Sequence, residues 1–194
     1  MIKAVLFDFF GVLYPDTFWG LANLYLQERD AATQQKLHEL VRKADLNVID
    51  QQEFWREAAE LFGVDLQQLE KDRDAFGGVD KVLLNRIRKL KKQGIKIGMI
   101  SNVGSGMVRG ELGKDAELFD ALILSGDTGF VKPDAQVYEL ATDRLQLEPE
   151  ECVFFDDIPR NVRGAQMVGM KAYLYDGIHS YDAAISALMS DVND

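Results

Sequence analysis

A chain of 194 residues, 47% apolar and 28% charged, is long enough to bury one core with a small appendage and too apolar to stay disordered. Its 22 Lys+Arg against 32 Asp+Glu leave a net charge of −10, opposite to what neutralising nucleic-acid phosphates requires, so no nucleic-acid partner is expected. Nothing approaches the ~20 uninterrupted apolar residues of a membrane span, and no basic segment precedes an apolar one at the N-terminus, so a cytoplasmic protein without a membrane partner is expected.

The first short apolar run, 2–7, ends at Asp8 and suits a strand buried on both faces. Residues 15–78 then carry only helical spacing: Phe18, Leu21, Ala22, Leu24 and Tyr25, followed by Phe54, Ala58, Leu61 and Phe62. Asp50 with Glu53 makes a capping-box start, Asp65 caps a further helix, and Gly63 closes the one between. This predicts an all-helical domain over 15–78, with Pro15, Gly77 and Gly78 at its joints, inserted into a core formed by 1–14 and 79–194. Trp19 and Trp55 lie on its apolar stripes and read as its core, while Asp16, Arg42 and Arg56 read as solvated helix residues.

From Val79 the core resumes with a helix whose last turn carries Lys89, Lys91 and Lys92 ahead of Gly94, favourable to the helix dipole. Apolar runs at 95–100, 121–124, 152–155 and 171–175 follow, separated by helical patterns such as Val137, Leu140, Ala141 and Leu145. Strand alternating with helix predicts an α/β fold, a doubly wound parallel sheet. In such sheets ligands collect at the carboxyl ends of the strands, where the winding reverses; here those ends are Asp8, Ser101, Ser125 and Asp156. Cys152, the single cysteine, lies in an apolar run and reads as an inert core thiol in a reducing compartment. His38 and His179 have no partners at ligand or triad spacing, and Gly104 and Gly106 lack the Lys-Ser/Thr ending of a phosphate loop, which leaves them as turn residues.

Asp8, Asp156 and Asp157 end two apolar strands, where charge is costly unless a cation or dense hydrogen bonding compensates it. Oxygen ligands with no His or Cys nearby select Mg²⁺ over zinc. Each aspartate taken alone equally suits a helix cap. The ordered set is more specific: Asp8, then Ser101 and Asn102, then Lys132 before Pro133, then Asp156 and Asp157, at intervals of 93, 31 and 24 residues. The stretches VLFDFFGVLYPD, GIKIGMISN, LFDALILSGDTGFVKPDAQVYELA and CVFFDDIPRNVRGAQMVGMKAYLY resemble the haloacid dehalogenase superfamily, in the branch with a helical cap inserted after the first motif.

That resemblance implies a phosphohydrolase of small phosphorylated metabolites with a Rossmann-like core. Asp8 would be the nucleophile, forming an aspartyl phosphate that water hydrolyses. Ser101 and the backbone at Asn102 would bind the phosphoryl oxygens and Lys132 would supply fixed positive charge, with Gly11 permitting the tight turn beside them. Mg²⁺ would be held by Asp8, the main-chain carbonyl of Phe10, Asp156 and Asp157, with Asn161 in support. Arg160 would add local attraction for an anion.

Phe10 departs from the pattern, because phosphatases of this family typically carry there a second Asp that protonates the leaving oxygen and then activates water. Losing general acid–base help costs about 10²–10⁴-fold. Three readings follow: a phosphatase limited to leaving groups that need little protonation, such as aryl, acyl or anomeric sugar phosphates; a non-catalytic binder of phosphate and Mg²⁺; or a metal-independent 2-haloacid dehalogenase, which the paired Asp156 and Asp157 disfavour. Nothing in the sequence sets the oligomeric state.

Overall fold

Alternating side chains of one strand can fill two cores at once, and the computed structural model, which describes residues 1–190, is built around this property. Its strands are β1 (Ala4–Phe7), β2 (Lys96–Ser101), β3 (Ala121–Leu124), β4 (Cys152–Asp156) and β5 (Lys171–Leu174). All pair in parallel, in the order β3-β2-β1-β4-β5. The predicted runs match these strands within two residues at each end.

The helices after the first strand are α1 (Thr17–Tyr25), α2 (Ala31–Asp45), α3 (Gln51–Phe62) and α4 (Leu66–Ala75). Then come α5 (Lys81–Lys92), α6 (Ser105–Leu112), α7 (Ser125–Thr128), α8 (Ala135–Leu145), α9 (Pro159–Met167) and α10 (Ile178–Ser190). Val5 and Phe7 face one core with Leu83, Leu84 and Ile87 of α5 and Tyr181 of α10. Ala4 and Leu6 face the other with Val137, Tyr138 and Ala141 of α8 and Ala165 of α9. Both faces of the sheet are therefore covered, which is the doubly wound α/β architecture expected of alternating elements.

Helices α1 to α4 bury a third cluster of their own, including Phe18, Leu21, Leu37, Trp55, Phe62 and Leu69. Their starts are capped by side chains: Asp30 accepts from Thr33 N at 2.7 Å, Asp50 from Glu53 N at 2.8 Å and Asp65 from Gln67 N at 2.8 Å. Gly63 closes α3 in the left-handed region at φ +69°. The apolar spacing did not delimit α2, which buries just Leu37 and Leu40 along fifteen residues. No helix among the described residues is long and apolar enough to cross a membrane.

The sheet order puts β1 beside β4, in register Phe7 to Phe155, so Asp8 and Asp156 emerge together at the carboxyl edge. The loop between α7 and α8 that carries Lys132 passes close to α9: a Cβ at Gly164 would lie 2.7 Å from the Pro133 carbonyl oxygen. Gly164→Ala is therefore expected to cost about 1–3 kcal/mol through overpacking against backbone, read as a lower urea midpoint with an unchanged m-value.

Candidate active site

Charge placed where strands end inside a protein must be compensated by what the chain brings to it. Asp8 and Asp156 are 5% and 0% exposed, and the cation between them, Lys132, is 4% exposed, so none of the three can rely on water. Lys132 Nζ lies 2.7 Å from Asp8 Oδ2 and 2.6 Å from Asp156 Oδ2. The Ser101 hydroxyl at the end of β2 donates to Asp8 Oδ1 at 2.7 Å, and the Phe9 N–H donates to the same oxygen at 2.6 Å. Asp156 accepts from the Ile158 N–H at 2.8 Å, and Asn161 Nδ2 reaches both of its oxygens at 3.0 and 3.1 Å.

One ammonium thus balances two buried carboxylates. Burial pushes Asp8 up to about 7; Lys132 opposes this and the charge of Asp156 adds to it. Burial works against the charge of Lys132, but Asp8 and Asp156 outweigh it and hold its pKa above the usual lysine value. Asp157 is pushed up to about 6 by burial first and by Asp156 second.

Oxygens of Asp8, Asp156 and Asp157 all lie within 4.8 Å of one another. Three carboxylates against one buried cation leave an excess of negative charge on hard oxygen donors, a set that fits Mg²⁺. No donor among the described residues reaches the Phe10 carbonyl, which leaves that oxygen available. Gly11, at φ +73°, carries the turn between Phe10 and Tyr14, and a Cβ there would overlap the Asp157 carboxylate. Glycine is needed at this position for space as well as for conformation.

Asn102 serves Lys132 directly: its Oδ1 accepts from the Lys132 N–H at 2.8 Å and its Nδ2 donates to the Lys132 carbonyl at 3.2 Å. The sequence implies a contact from the backbone at Asn102, whereas the clamp is made by its side chain across 30 residues. Above the cluster lies a cavity of about 430 Å³, with Asp8, Ser101, Lys132 and Asp157 on its floor and Phe10, Phe18, Phe54 and Trp55 along its wall. The Phe10 ring stands edge-on to Phe9 and Tyr14, with centroids at 5.2 and 6.0 Å.

The remaining candidates fall where their chemistry places them. His38 is exposed, as foreseen, yet it packs on Trp19 at the cavity rim. Arg160 is exposed at the same rim, and Asp16 caps α1 there through Trp19 N at 3.5 Å. Arg42 and His179 are exposed, and Arg56 pairs with Glu53. Cys152 is fully buried and its thiol is pushed up to about 12 by burial, which makes it inert. Asp45, at the end of α2, also lines the cavity and was not singled out from sequence. Its signal was a carboxylate continuing the stripe Leu37 and Val41 at intervals of four.

A family model described as haloacid dehalogenase-like hydrolase matches residues 2–169, from β1 through α9. The chain belongs to that family. A Mycobacterium tuberculosis phosphatase is 32% identical to this haloacid dehalogenase-like hydrolase over 93 residues, 46% of the chain and 43% of the relative. The chain thus spans less than half the length of that curated relative. A predicted hydrolase of the family from Porphyromonas gingivalis shares the fold with a TM-score of 0.72 at 20% identity, covering 97% of this chain and 98% of that one. A family enzyme of Bacteroides thetaiotaomicron, solved with magnesium and inorganic phosphate, gives 0.67 at 20% identity over 90% and 94% of the two chains.

Because Asp8, Asp45 and Asp157 rise to about 7, 7 and 6 from an ordinary 3.8, the folded metal-free protein keeps protons that the unfolded chain has released. That contribution to stability is complete below about pH 4 and is lost as pH rises through 6 to 7. With a chelator present, the urea midpoint is expected to fall between pH 5 and pH 8, and Asp8→Asn is expected to flatten the fall.

Proposed function

We propose that the chain is a Mg²⁺-dependent phosphohydrolase of a small phosphorylated metabolite, working through an aspartyl phosphate on Asp8. The observation that carries this reading is the meeting of Asp8, Lys132, Asp156 and Asp157 beneath one cavity. Residues 15–78 act as a cap over a core of 1–14 and 79–194, and their separate apolar cluster and their share of the cavity wall support this division. Asp8, Asp156, Asp157 and the Phe10 carbonyl would hold Mg²⁺, which when bound supplies positive charge that keeps Asp8 ionised and offsets charge on the phosphoryl oxygens.

The rest of the chemistry belongs to the chain. A carboxylate oxygen of Asp8 attacks phosphorus, the bond from phosphorus to the leaving oxygen breaks, and that oxygen keeps the electron pair. Lys132 and Ser101 already contact Asp8 and stand beside the phosphoryl group as it transfers. Water then attacks the phosphorus of the aspartyl phosphate, which releases inorganic phosphate and restores Asp8. Phe10 offers no proton to the leaving oxygen, so the core by itself serves leaving groups that depart as stable anions. Walls of Phe10, Phe18, Phe54 and Trp55 favour an apolar or aromatic body on such a substrate.

Turnover of 4-nitrophenyl phosphate is expected to require Mg²⁺, to stop with a chelator and to fall at least about 10³-fold in Asp8→Asn. Native protein and Asp8→Asn equally inert would remove the reading. Asp157→Asn is expected to raise the Mg²⁺ concentration needed for half-maximal rate by about 10-fold or more.

A further inference from the structure

Resting on the phosphohydrolase reading and going beyond it, we propose that Asp45 of the helical segment supplies the proton transfers that Phe10 cannot, as acid to the leaving oxygen and then as base to water. Asp45 ends α2 and lines the same cavity as Asp8, Ser101, Lys132 and Asp157, and its carboxyl is close enough to Lys132 and Asp8 to feel both charges. No donor among the described residues is hydrogen-bonded to its half-buried carboxyl, so its oxygens are free for a ligand in that cavity.

Its place relative to the core is held from the C-terminal side. The buried Ser125 hydroxyl, opening α7 after β3, donates to the Asp45 carbonyl at 2.5 Å. Two residues on, Asn47 Nδ2 donates to the Gly126 carbonyl at 3.0 Å. A Cβ at Gly104 would lie 2.6 Å from Asn47 Oδ1, and one at Gly126 would lie 2.8 Å from Asn47 Nδ2, so these glycines leave the room in which Asn47 seats. A proton donor needs a fixed position beside the reacting bond, and this double attachment ties a residue of the helical layer to the strand ends.

The electrostatics agree with the geometry. Burial pushes Asp45 up to about 7, with Lys132 acting downward and Asp8 upward. Near neutral pH both protonation states are populated, as a group that alternates between donor and acceptor requires. The other carboxylates lining the cavity are otherwise placed: Asp8 and Asp157 in the proposed metal set, Asp50 capping α3 through Glu53 N at 2.8 Å, and Asp16 exposed at the start of α1 with one long contact, 3.5 Å, from Trp19 N.

In the first half-reaction the Asp45 carboxyl gives its proton to the leaving oxygen as the phosphorus–oxygen bond breaks, yielding a free hydroxyl compound, phosphorylated Asp8 and an Asp45 carboxylate. In the second, that carboxylate takes a proton from the water attacking phosphorus, Asp8 departs as carboxylate, and inorganic phosphate leaves with Asp45 protonated again. No co-reactant is needed.

Two aryl probes, phenyl phosphate and 4-nitrophenyl phosphate, test this because they differ in how much protonation their leaving oxygens need. Asp45→Asn keeps the main-chain carbonyl that Ser125 uses, and circular dichroism with thermal unfolding checks its fold. With Mg²⁺ present, this variant is expected to lose about 10²–10⁴-fold in kcat/KM on phenyl phosphate, with at least a tenfold smaller loss on 4-nitrophenyl phosphate. A stoichiometric burst of nitrophenolate is also expected, as phosphorylated Asp8 waits for its base. Equal losses on both probes without a burst, or no loss on either, would overturn the role of Asp45 alone. Native protein as inert as Asp8→Asn overturns it together with the phosphohydrolase reading beneath it.

Discussion

Lys132 is the charge on which the arrangement depends, because it is the buried cation shared by two buried carboxylates on neighbouring strand ends. Removing water from an ion costs several kcal/mol after relaxation, and partners must return that cost at short range. The chain provides for it in layers: Asn102 grips the Lys132 backbone from both sides, Ser101 and the Phe9 N–H hold Asp8, and Asn161 with the Ile158 N–H hold Asp156. These groups come from segments far apart in the sequence, so the cluster exists only in the folded chain. Its three carboxylates against one ammonium leave a negative charge that matches the demand of a divalent cation, and burial first, with the charge of Asp156 adding to it, raises Asp8 and Asp157.

The sheet makes this meeting possible. In the order β3-β2-β1-β4-β5 the chain starts at the centre, winds outward through β2 and β3, and returns to the other side of β1. Strand ends bearing Ser101, Asp8 and Asp156 are thereby neighbours on one edge, at the place where an open parallel sheet reverses its winding. The loops around them have little spare room. Gly11 gives way to the Asp157 carboxylate and Gly164 to the Pro133 carbonyl, so backbone and charged groups approach more closely than any Cβ would permit.

The helical segment contributes more than a cover. Through Asn47 and the Asp45 carbonyl it is fastened to the loops after β2 and β3, and the aromatic wall it shares with Phe10 makes an apolar enclosure above an ionic floor. In such an enclosure charges act on one another with little screening, and a carboxyl such as Asp45 shifts toward neutrality. The proposed chemistry is accordingly divided: the core offers nucleophile and charge, and the segment offers the proton.

The alternation of apolar runs with helical stripes, and the Asp and Ser residues closing those runs, were legible in the sequence because a short uninterrupted apolar run and an apolar spacing of three to four residues are both local patterns. The parallel sheet, its strands within two residues, the caps at Asp50 and Asp65 and the acidic trio followed from them. Hidden from it were the parts that depend on distant segments meeting. Asn102 as clamp of Lys132 spans 30 residues, Gly11 under Asp157 spans 146, and Asp45 owes its place to a hydroxyl 80 residues later. Local composition therefore determined which elements form and which side chains carry charge, because both depend on near neighbours along the chain. Only the tertiary structure decided which charges share a cation, which loops need glycine for space and which carboxyl looks into the cavity, because burial and distance are properties of the packed whole.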